Sequence, residues 1–106
     1  MRDRGYVFVD DQPSGVLSRS EQIFSLPLQV LPGQKVSIVV ENQGRICYGS
    51  NLADMKGIVG NVSLGEKVVR GWEMTGVPLD GAMLTKYCAK VQRTTASNLK
   101  MKQLLR

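Results

Sequence analysis

Along much of this chain apolar residues recur at every second position, in short runs cut apart by glycine and proline. A period of two belongs to a strand with one buried face, and no helix can present it. Tyr6-Val7-Phe8-Val9 is a run of strand formers, followed by Asp10-Asp11-Gln12-Pro13-Ser14-Gly15, which is dense in turn residues. From Phe24 to Val30 the alternation is clean: Phe24, Leu26, Leu28 and Val30 face one way, Ser25, Pro27 and Gln29 the other. Pro27 cannot donate a ladder hydrogen bond, so this strand is expected at an edge or a bulge. Leu31-Pro32-Gly33-Gln34 is a second turn, and Val36, Ile38 and Val40 make the next strand, which ends at Glu41-Asn42-Gln43-Gly44. Gly49, Gly57 and Gly60 then lead into a short strand over 61–64, and Val68 to Met74 alternates again with Trp72 and Met74 on the Val68 face. Such spacing predicts an all-β fold for residues 1–80, an antiparallel β-sandwich or jelly roll.

The last stretch has a different rhythm. Met83, Leu84, Tyr87, Cys88 and Val91 form a helical stripe, with Asp80 in the place of an N-cap. Thr94 to Asn98 is a polar break, and Leu99 to Leu105 has room for one or two weak turns. A boundary is therefore expected near residue 80, with a short helical or disordered tail over 81–106.

Charge divides at the same place. The chain of 106 residues carries +5. Residues 1–80 hold eight Lys and Arg against nine Asp and Glu, a net of −1; residues 81–106 hold six Lys and Arg and no acid, a net of +6. The basic tail has one aromatic, Tyr87, and no recognition motif, so a solvated extension is favoured over specific nucleic-acid binding. No stretch approaches the roughly 20 apolar residues of a membrane span, and the N-terminus lacks the apolar core of a signal peptide. With no His and no Cys-x-x-Cys pair, the chain has neither a zinc motif nor the base of a Ser-His-Asp or Cys-His centre. No metal or other cofactor is expected. Cys47 and Cys88 are read as free thiols, since a disulfide between them would require an oxidising compartment. Gly60 to Lys67 has the outline of a phosphate loop, but Glu66 stands where that loop needs its Lys and would repel a phosphate.

Three segments carry a more specific signal. Arg2-Asp3-Arg4-Gly5-Tyr6-Val7-Phe8-Val9-Asp10 resembles the Asp-Arg-(Ala/Gly)-Tyr-Val-x-Val-Asp strand of β-galactosidases in glycoside hydrolase family thirty-five. Val40-Glu41-Asn42-Gln43-Gly44-Arg45-Ile46-Cys47-Tyr48-Gly49 is similar to that family's Val-Glu-Asn-x-Gly-Arg-x-Asn-Tyr-Gly, with Cys47 in place of Asn. Asp54-Met55-Lys56-Gly57-Ile58 is similar to its Asp-Phe-Lys-Gly-(Leu/Ile), with Met55 in place of the aromatic. The resemblance covers about residues 2–64. Beyond Leu79 it ends, and an element Trp-x-x-x-Pro-Leu is matched by Trp72 and Pro78-Leu79 only with two extra residues between them.

The resemblance implies a jelly-roll, galactose-binding-domain-like module that follows the family's catalytic (β/α)₈ barrel. On it, the chain is expected to be a fragment that starts partway through that module. The parent enzyme would hydrolyse terminal β-galactosides in carbohydrate metabolism, in the lysosome or outside the cell. For this chain itself the location is left unknown. The expected partner is the absent barrel; a stand-alone module binding a glycan or a protein is the alternative, and an open sheet edge invites self-association.

No catalytic residue carries over, because the family's catalytic glutamates lie on the barrel. A retaining glycosidase needs two carboxylates about 5 Å apart, one kept protonated. Glu21, Glu41, Glu66 and Glu73 fall at strand ends, in turns or on polar faces, where solvated surface is their ordinary role. Asp3 with Arg4, and Glu41 with Arg45, are candidates for ion pairs or hydrogen bonds that hold loops between strands, a structural role favoured over sugar contact. Asn42 and Gly44 suit a tight turn. Tyr48 and Trp72 are the candidates for stacking on a sugar ring, against the core role usual for a lone aromatic in a sandwich. Asn61-Val62-Ser63 is an N-glycosylation sequon, so Asn61 is a candidate acceptor if the chain enters the secretory pathway.

Overall fold

The computed structural model describes residues 1–50 and 52–90. The chain separates into two units, Met1–Gly71 and a second beginning at Trp72.

The first unit is built on a three-stranded antiparallel sheet, in the order β2-β1-β3. Strand β1 (Arg4–Val9) holds the centre, with β2 (Gln12–Ser18) and β3 (Val36–Glu41) on either side. A two-stranded ladder, β4 (Ser63–Leu64) with β5 (Lys67–Val68), follows in the same unit. In the second unit residues 81–90 form a helix, α1. The all-β expectation for the body is met.

Alternation along β1 sets the two faces. Gly5 and Val7 are buried, and they lie opposite Val40 and Ile38 on β3 and Leu17 and Gly15 on β2. Val7, at 3% exposure, is the most deeply buried apolar residue among those described. The other face carries Tyr6, whose hydroxyl donates to Glu41 Oε2 at 2.9 Å, with the Arg4 guanidinium 5.9 Å from its ring centre. The Glu41 carboxylate accepting that bond holds the phenol above its ordinary titration range.

The turn between β1 and β2 is tighter than its composition suggests. Only Asp10 and Asp11 form it, with φ of 47° and 63°, the left-handed pair that a two-residue hairpin requires. Gln12-Pro13-Ser14-Gly15, expected as turn, are therefore strand. Pro13 is accommodated because β2 is an edge, and the register slips beside it: Val7 faces Gly15 while Phe8 faces Pro13, so Ser14 is the extra residue of a bulge.

Two expected strands do not form. From Leu26 on the burial alternates as the pattern demands, with Leu26, Leu28 and Val30 half-buried, but Phe24 is exposed and no ladder is made over 24–30. Leu26 packs over Gly15: a Cβ on that glycine would lie 2.7 Å from Leu26 Cδ1. Side-chain periodicity alone places these residues, and Pro27 withholds a donor in the middle of the run. Over 69–74 the alternation likewise carries no ladder; pairing stops at Val68, apart from one bond from Val69 N to Val62 O at 2.8 Å.

Helix α1 begins where the sequence places it. Met83 N–H donates to Asp80 Oδ1 and Leu84 N–H to the Asp80 carbonyl, both at 2.9 Å, the pattern of an N-cap. Of the expected apolar stripe, Met83 is half-buried while Leu84, Tyr87 and Cys88 are exposed. Val91, the polar break and the further turns expected from Leu99 lie outside the described residues.

Candidate functional site

The three family-like segments meet at one end of the sheet, and charge brings them together. Asp3 precedes β1, Arg19 follows β2, and Asp54 and Lys56 arrive on the segment that pairs back to the chain start. There Arg2 N–H donates to the Gly57 carbonyl at 2.8 Å, and Gly57 N–H returns a bond to the Arg2 carbonyl. Gly57 sits at φ 91°, a conformation costly for any residue with a Cβ, which accounts for a glycine after Lys56. The hairpin that delivers Arg19 is closed by mutual bonds between Ser18 and Ile23 at 2.8 and 2.9 Å, with Ser18 fully buried beneath it.

Asp54 is the hub of the cluster. Its Oδ1 accepts from Arg2 Nη1 at 2.6 Å; its Oδ2 accepts from Arg19 Nη1 at 2.7 Å and lies 3.0 Å from Lys56 Nζ. Asp3 is the second hub. Its Oδ2 accepts from Lys56 Nζ at 2.8 Å and from the Gln43 N–H at 2.9 Å, and its Oδ1 lies 3.5 Å from Arg19 Nη1. The two carboxylates are 4% and 10% exposed, so three cations neutralise two acids that have largely left water.

Each group titrates accordingly. Hydrogen bonds from Arg19, then Lys56, hold the Asp54 carboxyl far below the usual carboxylate range. Lys56, then the Gln43 N–H, lower Asp3 as well. In return Arg19 is raised chiefly by Asp54, and Lys56 chiefly by Asp3.

This corrects the expected pairings. Neighbours on a strand point to opposite faces, so Arg4 is turned away from Asp3 toward Tyr6, and the true partners come from 16 and 53 positions away. Among the described residues Glu41 bonds Tyr6, and no ion pair joins it to Arg45. The Asn42 turn forms as expected: Asn42 Oδ1 accepts from Gly44 N–H at 2.9 Å, and Gly44 sits at φ 100°.

Beside the cluster lies an open cavity of about 420 Å³, bordered by Asp3, Arg19, Gln43, Arg45 and Lys56. Its border mixes the apolar Ile46 with three cations, Arg19, Arg45 and Lys56, and Arg45 is the one that no carboxylate engages among the described residues. Sequence reasoning missed Arg19 and Lys56 as members of this site. Lys56 stood in a quoted motif and could have been found; Arg19 lies outside all three segments.

The other sequence candidates contribute none of the cluster's ion pairs. Tyr48 is 91% exposed and Trp72 40%, so neither is core; they belong to separate units. Asn61 is exposed, two residues before β4. Cys47 and Cys88 are free and exposed. Glu21, Glu41, Glu66 and Glu73 are all exposed, and none lies in the cluster. No group of metal-ligating side chains occurs among the described residues.

The family described as "Beta-galactosidase, first all-beta domain" matches residues 1–80. Curated relatives over the same stretch include β-galactosidase of Bos taurus, 36% identical over 83 residues, or 78% of this chain and 13% of that protein. β-Galactosidase of Homo sapiens is 39% identical over 80 residues, or 76% of this chain and 11% of that protein. A bacterial β-galactosidase, from Xanthomonas manihotis, is 37% identical over 81 residues, covering 74% and 14%. The chain thus spans about one-eighth of the length of the relatives it matches. No solved structure gives a significant match.

Proposed function

The chain belongs to the family of the first all-beta domain of β-galactosidases, and from that premise we propose that it is a non-catalytic structural piece of a family thirty-five enzyme. Its role on this reading is to pack against a catalytic barrel supplied by other sequence and to keep that barrel in shape. The observation that carries the reading is the convergence of the three motif segments on Asp3 and Asp54. Asp3, Asp54 and Lys56 of those segments are spent on fastening the sheet to the chain start, with their charges satisfied internally. A glycosidase centre needs a carboxyl held neutral near pH 7, and both clustered carboxyls are pushed the other way.

The test is reconstitution. The purified chain is mixed with a β-galactosidase catalytic barrel that lacks its own all-beta domains, and association and hydrolysis of an aryl galactoside are followed. The expected result is no hydrolysis by the chain alone, and binding that raises the thermal stability of the barrel. Hydrolysis by the chain alone, or indifference of the barrel to it, overturns the proposal.

A second reading has one observation in its favour. The cationic cavity at Arg45 would suit a stand-alone module for a glycan or an acidic protein segment. Retention on a galactoside column, abolished by Arg45→Ala, would move the assignment there. The sequon at Asn61 is reachable by the glycosylation machinery if the chain is made in the secretory pathway, as a lysosomal or secreted parent would be.

A further inference from the structure

The two edges of the three-stranded sheet differ in a way that bears on association. The β2 edge is blunted: Pro13 lacks an N–H, Ser14 is a bulge, and Gly15 lies under Leu26. The β3 edge has none of these protections. Val36–Glu41 pairs with β1 in unbroken register, contains neither proline nor glycine, and leaves Val39 54% and Val40 38% exposed. Among the described residues no further strand lies along it.

Its hydrogen-bonding phase can be read from the adjoining turn. Asp10 N–H donates to the Lys35 carbonyl at 2.9 Å, so the backbone of Lys35 faces β1. In an antiparallel ladder that orientation alternates, so Ser37, Val39 and Glu41 also face β1. Val36, Ile38 and Val40 therefore aim their N–H and C=O groups outward.

We propose that β3 is a dimerisation edge that pairs antiparallel with β3 of a second copy, with Ile38 opposite Ile38 across a two-fold axis. In this register each outward residue meets another outward residue: Val36 faces Val40 of the second copy, Ile38 faces Ile38, and Val40 faces Val36. Three opposed pairs exchange two hydrogen bonds each. The same register sets Lys35 opposite Glu41 at both ends, so the edge is complementary to itself in charge as well as in hydrogen bonding. Sliding the copies by two residues leaves Lys35 facing Val39 and loses one of the opposed pairs. Val39 and Val40, wasteful on a free edge, become covered in a six-stranded sheet.

The full chain and three variants test this by sedimentation equilibrium, with far-ultraviolet circular dichroism to verify folding. The parent chain is expected to form a concentration-dependent dimer. Lys35→Glu and Glu41→Lys should each weaken it roughly tenfold, because like charges then face each other at both ends. An equimolar mixture of the two variants should regain parental affinity, since each supplies the charge the other lacks. The double variant should do the same on its own, and it carries the test if either single variant fails to fold. A parent chain that stays monomeric up to its solubility limit overturns the proposal. So does a dimer indifferent to both reversals, or one restored by neither the mixture nor the double variant.

Discussion

At the motif end of the sheet, Asp3 and Asp54 are almost wholly covered and sit among Arg2, Arg19 and Lys56. At the opposite end a single carboxylate does a similar job in the open. Asp10 Oδ1 accepts from Lys35 N–H and Oδ2 from Gln34 Nε2, both at 2.9 Å, while Gln34 Oε1 accepts from Leu31 N–H at 2.8 Å. Both arrangements tie β1 to the chain entering or leaving β3. They differ in what happens when one member is lost. Water replaces a missing partner at Asp10, whereas at Asp54 the loss leaves three half-covered cations, Arg2, Arg19 and Lys56, with Asp3 as the only remaining carboxylate of the cluster.

The largest expected effect comes from removing the buried hub. Asp54→Asn keeps the shape but leaves Arg19 and Lys56 short of a counter-charge, and its melting temperature should fall roughly three times as far as that of an exposed-clamp variant. Thermal unfolding followed by circular dichroism makes the comparison. Equal losses at the two ends would mean that the cluster is far wetter than its geometry indicates.

Acid gives the next effect, and its sign at the cluster follows from the direction of each shift. Asp3 and Asp54 are held below their ordinary value of 3.8, so their contribution is complete above that value and disappears as pH falls through the lowered ones. Lys56 and Arg19 are raised, so their contribution persists to above 10.5 and is lost only in stronger base. Denaturant titrations from about pH 7 to about pH 3 should show stability dropping in the parent and dropping much less in Asp54→Asn.

The smallest effect belongs to Gln34→Ala, which opens the exposed clamp and leaves the left-handed Asp10 in place. It loses two exposed hydrogen bonds and should cost about 1 kcal/mol, which is about 4–8 °C in a domain of this size. A loss as large as that of Asp54→Asn would overturn the contrast between the two ends.

What the sequence disclosed follows from what each signal measures. β1 and β3 were legible because they alternate and also have neighbours to pair with. Residues 24–30 alternate equally well but lack a ladder, since a period of two reports which side chains are covered and says nothing of hydrogen bonds. β2 was hidden because Pro13, Ser14 and Gly15 are turn formers by composition, and only a bulged edge makes them strand. At the site, the motifs named Asp3, Asp54, Lys56 and Gly57, but not the pairing. Adjacent residues of opposite charge suggest pairs by proximity alone, but strand geometry points neighbours apart. Arg19 carried no signal, because its place depends on the Ser18–Ile23 hairpin.

The span of the charge cluster sets an order of events. Arg2 meets Asp54 across 52 positions and Asp3 meets Lys56 across 53, whereas the β1–β2 hairpin needs only the first 18 residues. Loops that long close late, and a chain emerging from the ribosome cannot close them until Lys56 is free of the exit tunnel. Until then Asp3 and Arg19 remain hydrated, and the hairpin stands with its charged end open. The cluster is thus a latch that shuts last, and damage to it should act mainly on the rate of unfolding, leaving the early hairpin to form as before.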